Sequence, residues 1–182
     1  MESAEIIPMT RRWLEKAVIG LNLCPFAAPV YRRDRIRFCV SGERSAAGLL
    51  EQFRAECLFL SEADPLQCET TLLIHPWVLG DFIEYNEFLA VCESAIVELD
   101  LEGELQVASF HPRYQFAGTL PDDIENYTNR APYPTLHLLR EASVERAVAA
   151  VADPEDIYRQ NILTLRRLGA SGWAKLGLDR EP

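Results

Sequence analysis

Two short runs of strand-forming residues each stop at His-Pro: TLLIHP (Thr71–Pro76) and VASFHP (Val107–Pro112). Proline cannot donate to a ladder and holds the residue before it extended, so each histidine reads as the last residue of its strand. A helix-length segment separates the two runs. A helical crossover brings the next strand back in the same direction, so the strands are expected to run parallel in one sheet. Both imidazoles then emerge at one edge. In open α/β sheets that edge, at the carboxyl ends of the strands, is where ligands bind. The chain has three histidines, and the third, His137, follows the stiff segment APYPT (Ala131–Thr135).

Periodicity supplies the surrounding elements. Trp13, Leu14, Ala17, Val18 and Leu21 mark one apolar face of a helix from Thr10 to about Leu23, which Pro25 stops. Arg35–Ser41 alternates as a half-exposed edge strand, and a helix capped by Ser45 runs to about Leu60. Thr70–His75 carries Leu72, Leu73 and Ile74 without alternation, which suits a central strand covered on both faces. Phe82, Tyr85, Leu89, Cys92, Ile96 and Leu99 step by three and four residues along the clearest helix, with Gly103 past its end. Leu105–His111 is the third strand. Thr135–Ala150 reads as helical with a break near Ser143. Asp153-Pro154 reads as the cap and first residue of a last helix that Gly169 stops. The expected fold is α/β: a small, mostly parallel sheet of three to four strands flanked by helices, in one domain over residues 1–182. A ferredoxin-like α+β sheet is the alternative, with a strand hidden in Tyr114–Thr119 turning back on the third.

Composition narrows the partners. A formal net charge of -10 opposes nucleic acid and anionic membrane surfaces, both of which need a basic footprint. Five cysteines without a closely spaced pair suit a reducing compartment rather than a disulfide framework. No stretch reads as a leader or a membrane span, so a cytoplasmic protein is expected, with its oligomeric state open.

The candidate chemistry collects around the histidines. His137, read as lying at the start of a helix, would stay neutral there, the form that binds metals. His75, His111 and His137 together would make three ligands with an open position for one transition-metal ion, zinc or iron. Against this, each histidine could simply bond a carbonyl at its strand or helix end. Cys24, in LNLCPFA, is a candidate fourth ligand or neighbouring thiol, although a helix carboxyl end raises a thiol's pKa. The segment Arg113–Pro134 fits neither element type. It is either a binding loop or it hides a strand or a turn of helix. Within it Arg113, Asn129 and Arg130 are candidates to hold an anionic group, and Tyr114 and Tyr133 to supply hydroxyls or stacking walls. No phosphate-binding glycine loop, dinucleotide fingerprint or nucleophile elbow is present, so no nucleotide cofactor is expected.

RRWLEKAVIGLNLCPFA (Arg11–Ala27), TTLLIHP (Thr70–Pro76) and ASFHPRYQFAGTLPDDIENYTNRAPYPTLHLLRE (Ala108–Glu141) resemble domain-of-unknown-function family 1415, as does the helix after Asp153-Pro154. The resemblance implies one complete domain and assigns no catalytic residue. Three functions stay open from the residues. The first is a small-molecule enzyme with a metal at His75, His111 and His137, acting on an anionic substrate held by Arg130 and Asn129. The second is a metal-free thiol enzyme with Cys24 as nucleophile and a histidine as base. The third is a non-catalytic module that binds a metabolite or a protein.

Overall fold

In the computed structural model, which describes residues 3–149 and 154–178, the chain builds one sheet of four strands. These are β1 (Ile36–Val40), β2 (Thr70–Ile74), β3 (Leu105–Phe110) and β4 (Thr135–Arg140), in the spatial order β1-β2-β4-β3. β1 and β2 pair in parallel, whereas β4 is antiparallel to both β2 and β3. β2 and β3 therefore point the same way, as the two His-Pro segments predict, but they do not touch because β4 lies between them. The sheet is mixed, with one parallel pair.

Helices cover both faces. The helix between β1 and β2, α3 (Ala46–Glu62), and the one between β2 and β3, α4 (Phe82–Glu98), lie on the same face. Both crossovers step in one direction across the sheet, and crossovers of one hand put their helices on one side. Phe53 and Cys57 of α3 and Tyr85 and Cys92 of α4 bury there against Leu73, Leu136 and Leu138. Each helix starts on a side-chain cap that satisfies first-turn N–H groups: Ser45 Oγ accepts from Gly48 at 3.1 Å and Asp81 Oδ1 from Ile83 at 2.9 Å. The bidentate pair from Arg37 of β1 to Glu56 of α3, at 2.7 and 3.0 Å, fixes α3 on the edge strand.

The opposite face packs against α1 (Ile6–Trp13) and α6 (Pro154–Ala174). Trp13, Leu14 and Ala17 bury there with Leu165 and Trp173 on Leu72, Ile74 and Tyr133. The first helix is as long as its periodicity predicts, but it starts and ends four residues earlier and is less regular. It begins at Ile6, and from Leu14 to Ile19 it is wound as a π-helix. It ends at Ile19 with Gly20 as its cap, so Pro25 is not what stops it, and a short α2 (Ala27–Arg32) follows. Pro154 opens α6 and Gly169, at φ 65°, breaks it, so both positions act as the sequence predicts. The expected cap Asp153 lies outside the described residues. Among the described residues no helix is long and apolar enough to cross a membrane.

The expectation that fails is the element after Pro134. Thr135–Arg140 is not helical; it is the strand β4, and α5 (Glu141–Ala149) begins directly at its end, two residues before the expected break at Ser143. A strand does turn back on β3, but it is β4 and not Tyr114–Thr119. The 24 residues between β3 and β4 form a loop that contains a single 3₁₀ turn, Ile124–Thr128.

Candidate functional site: the carboxyl edge of β2 and β3

His75 and His111 follow β2 and β3 and leave the sheet on one edge, both on the α3/α4 side. Their backbones close the ends of the ladders: His75 N–H donates to Pro134 O at 3.0 Å and His111 N–H to Asn129 O at 3.1 Å. Both rings pack on Tyr85, His75 stacked and His111 tilted, with centroids 5.6 and 5.1 Å away. Their nitrogens clasp the loop that leads into α4. His75 Nδ1 donates to Val78 O at 3.1 Å, and His111 Nε2 donates to Leu79 O at 3.3 Å. Arg113 adds the next carbonyl, with Nη2 2.7 Å from Gly80 O. Three successive carbonyls are thereby taken by three side chains, and Leu79 is held at φ 55° between them.

The hydrogen-bond partners also fix the tautomers. His111 Nδ1 accepts from Arg113 N–H at 3.0 Å, so its proton sits on Nε2. His75 carries its proton on Nδ1, which leaves the Nε2 lone pair buried with no donor facing it among the described residues. His75 is fully buried and His111 is 1% exposed. Burial disfavours the imidazolium and pulls both pKa values down to about 4.

His137 does not join them. It lies within β4, opposite Leu72 and Ala108, rather than at a helix start, and it points to the α1/α6 face, next to Phe110. Thr70 gives its hydroxyl proton to Leu138 O, so His137 Nε2 donates to Thr70 Oγ1 at 2.7 Å. Burial holds its pKa near 4 as well, so a desolvated strand position rather than a helix terminus keeps it neutral. With two imidazoles on one face of the sheet and the third on the other, the three do not form one ligand set. Among the described residues no group of three His, Cys, Asp or Glu side chains is placed to share a metal ion. Cys24 is also remote from the edge histidines, in the cluster on the α1/α6 face. The N–H groups of Phe26 and Ala27 face its sulfur, but burial outweighs them and raises its pKa, so the thiol is protonated at neutral pH.

The long loop is tied down rather than free. Asn129 Nδ2 donates to Ser109 O at 3.1 Å, so this residue pins the loop to β3. Tyr133 is 2% exposed and belongs to the core. Tyr114 packs on Phe82 and Phe116. Arg130, expected to hold an anionic substrate at the histidine site, turns to the α6 side. Its guanidinium lies 4.3 Å over the Tyr127 ring, and it donates to the carbonyls of Tyr114 and Pro121. The 3₁₀ turn docks on α6 through Tyr127 on Trp173, 4.9 Å between centroids, and through Glu125 with Arg166.

Between this loop and the helices is a cavity of about 210 Å³. It is lined by Trp13, Tyr127 and Trp173 together with Pro112 and Ala131, and Arg130 supplies the charge. It lies at the predicted edge, beside the residues that leave β3 and enter β4, but on the α1/α6 face. Of the candidate residues, Arg130 alone lines it. Trp13 reads from sequence only as part of an apolar helix face, and Tyr127 and Trp173 carry no pattern. What distinguishes them is that flat, amphipathic rings from three separate elements converge.

The chain belongs to the family described as protein of unknown function, DUF1415, which it matches over residues 5–175. No curated protein and no solved structure matches it.

Proposed function

We propose that this member of the DUF1415 family binds a small anionic molecule with a flat apolar body in the cavity between Trp13, Tyr127, Arg130 and Trp173. The observation that carries the reading is the pairing of aromatic walls with one guanidinium at the carboxyl edge of the sheet. Two of the three guanidinium nitrogens bond loop carbonyls, and among the described residues Nη1 has no partner. The ring of Tyr127 backs that guanidinium and orients it, as a preorganised anion site requires. The volume is below the ~300–1,000 Å³ of drug-sized pockets, so the ligand is small. Binding is favoured over catalysis because the edge imidazoles are buried and bonded to carbonyls and the Cys24 thiol is protonated.

The test compares benzoate with its uncharged isostere benzamide, read by tryptophan fluorescence in a Trp77→Phe background, so that only Trp13 and Trp173 report. Benzoate should bind more tightly than benzamide. Arg130→Gln should weaken benzoate by about tenfold, the worth of one charged hydrogen bond, and leave benzamide unchanged. Equal binding of the two compounds, or benzoate affinity unaltered in Arg130→Gln, would overturn the assignment.

A further inference from the structure

A second recess, of about 220 Å³, lies at the other end of the sheet, where β4 passes into α5 and the chain enters β3. Arg140, the last residue of β4, is 8% exposed and lines it. One end of its guanidinium is accounted for: Nη2 donates to the carbonyls of Leu60, Ala63 and Cys68, and the first two belong to the carboxyl end of α3. The Nε edge is not. It is buried with no hydrogen-bond partner, and among the described residues no carboxylate pairs with Arg140. A guanidinium removed from water and left with a bare donor calls for an acceptor.

The other walls supply what an anion needs. Ala142 and Ser143 line the recess in the first turn of α5, a helix of nine residues. Glu141 N–H is taken by Glu104 O at 2.9 Å, and among the described residues no side chain accepts from the N–H groups of Ala142 or Ser143. Unpaired first-turn donors and the positive end of the helix dipole point the same way. Arg146, one turn on, lines the same space with Nη2 2.9 Å from Ser143 Oγ. Three carboxylates stand nearby, one of them Glu141 at the first position of α5. Glu104 is exposed on the rim, and Glu69 lies 3.8 Å from both Arg35 and Arg146, which divide its charge.

We propose that this recess binds a tetrahedral oxyanion of the phosphate class, held by Arg140 Nε–H, the Ala142 and Ser143 N–H groups and Arg146. It lies at the opposite edge of the sheet from the aromatic cavity, so the two readings stand or fall separately.

The experiment titrates the full ¹⁵N-labelled chain with inorganic phosphate at constant ionic strength and follows the Ala142 and Ser143 amides and the Arg140 Nε–H. The three resonances should move together and saturate. Arg146→Gln, at a side chain too exposed to affect folding, should weaken binding about tenfold. Arg140→Lys keeps the charge, removes Nε and should weaken it further. Glycerol 3-phosphate distinguishes the source. Binding at least tenfold tighter than phosphate assigns a phosphorylated metabolite, and equal binding assigns the free oxyanion. Shifts that stay linear and match those given by chloride, or an affinity unchanged in Arg146→Gln, would overturn the site.

Discussion

Asn126 has no surface exposed, and nearly every bond its amide can make is made. Oδ1 accepts from Phe116 N–H at 3.0 Å beside the Thr119 hydroxyl, and Nδ2 donates to Leu120 O at 2.7 Å and Pro121 O at 3.4 Å. Pro121 O also holds Arg130, so one amide positions the loop that positions the cavity's charge. Asn126→Ala would strand a part-buried N–H and a part-buried carbonyl, at about 1–2 kcal/mol each, the lower part of the cost for buried groups. It should lower the unfolding free energy by roughly 2–4 kcal/mol, read as a lower urea midpoint with an unchanged slope, and weaken benzoate binding. A variant with wild-type stability would show that the loop orders itself without the amide. Nothing in the sequence marks this residue, because an asparagine in a polar loop is ordinary until the carbonyls it gathers are known. The histidines differ in this respect. Proline constrains the backbone at His75 and His111 locally, so their place at strand ends is legible. Which face each ring takes depends on register, and for His137 on an element that reads wrongly.

That element is β4. The run TLHLLRE is rich in leucine, a strong helix former, yet it pairs on both sides as a central strand. The gap between β2 and β3, bounded by two strands pointing the same way, is filled by an antiparallel strand, and tertiary pairing outweighs local propensity. Sequence showed the two strands and their direction but not that they stand one strand apart. Tyr85 of α4 links this arrangement: its hydroxyl donates to Thr135 O at 2.8 Å and accepts from Phe110 N–H at 3.1 Å. Burial raises its pKa well above the usual phenol value, so the group remains a donor at any working pH. Tyr85→Phe keeps the ring packed between His75 and His111 and removes both bonds. It should cost about 1–3 kcal/mol, and the Phe110 amide should exchange with deuterium much faster than in the parent. Unchanged protection at Phe110 would show that β4 alone holds the end of β3.

Across the whole molecule, burial gives all three histidines the same property. Each has its pKa lowered from 6.5 to about 4, whichever face of the sheet it occupies. An unfolded chain takes up protons at these rings near pH 6.5, while the folded chain resists until near pH 4. Between those values the unfolded state binds more protons, so stability is full above pH 6.5 and falls as the pH drops toward 4. Each ring contributes up to about 1.4 kcal/mol per pH unit in that window. Three together reach roughly 4 kcal/mol per unit, comparable over two units with the ~5–15 kcal/mol that holds a domain together. The carboxylates with lowered pKa, exposed Asp81 and half-buried Glu125, act in the same direction but below pH 4.5. Urea midpoints measured from pH 7.5 to 5 should therefore be flat above pH 6.5 and then fall steeply. His111→Gln, which keeps a side-chain donor near Leu79 O, should remove about a third of that slope. The same decline in His111→Gln as in the parent would mean that His111 is not held neutral in the fold. A midpoint independent of pH down to 5 would mean that none of the three is.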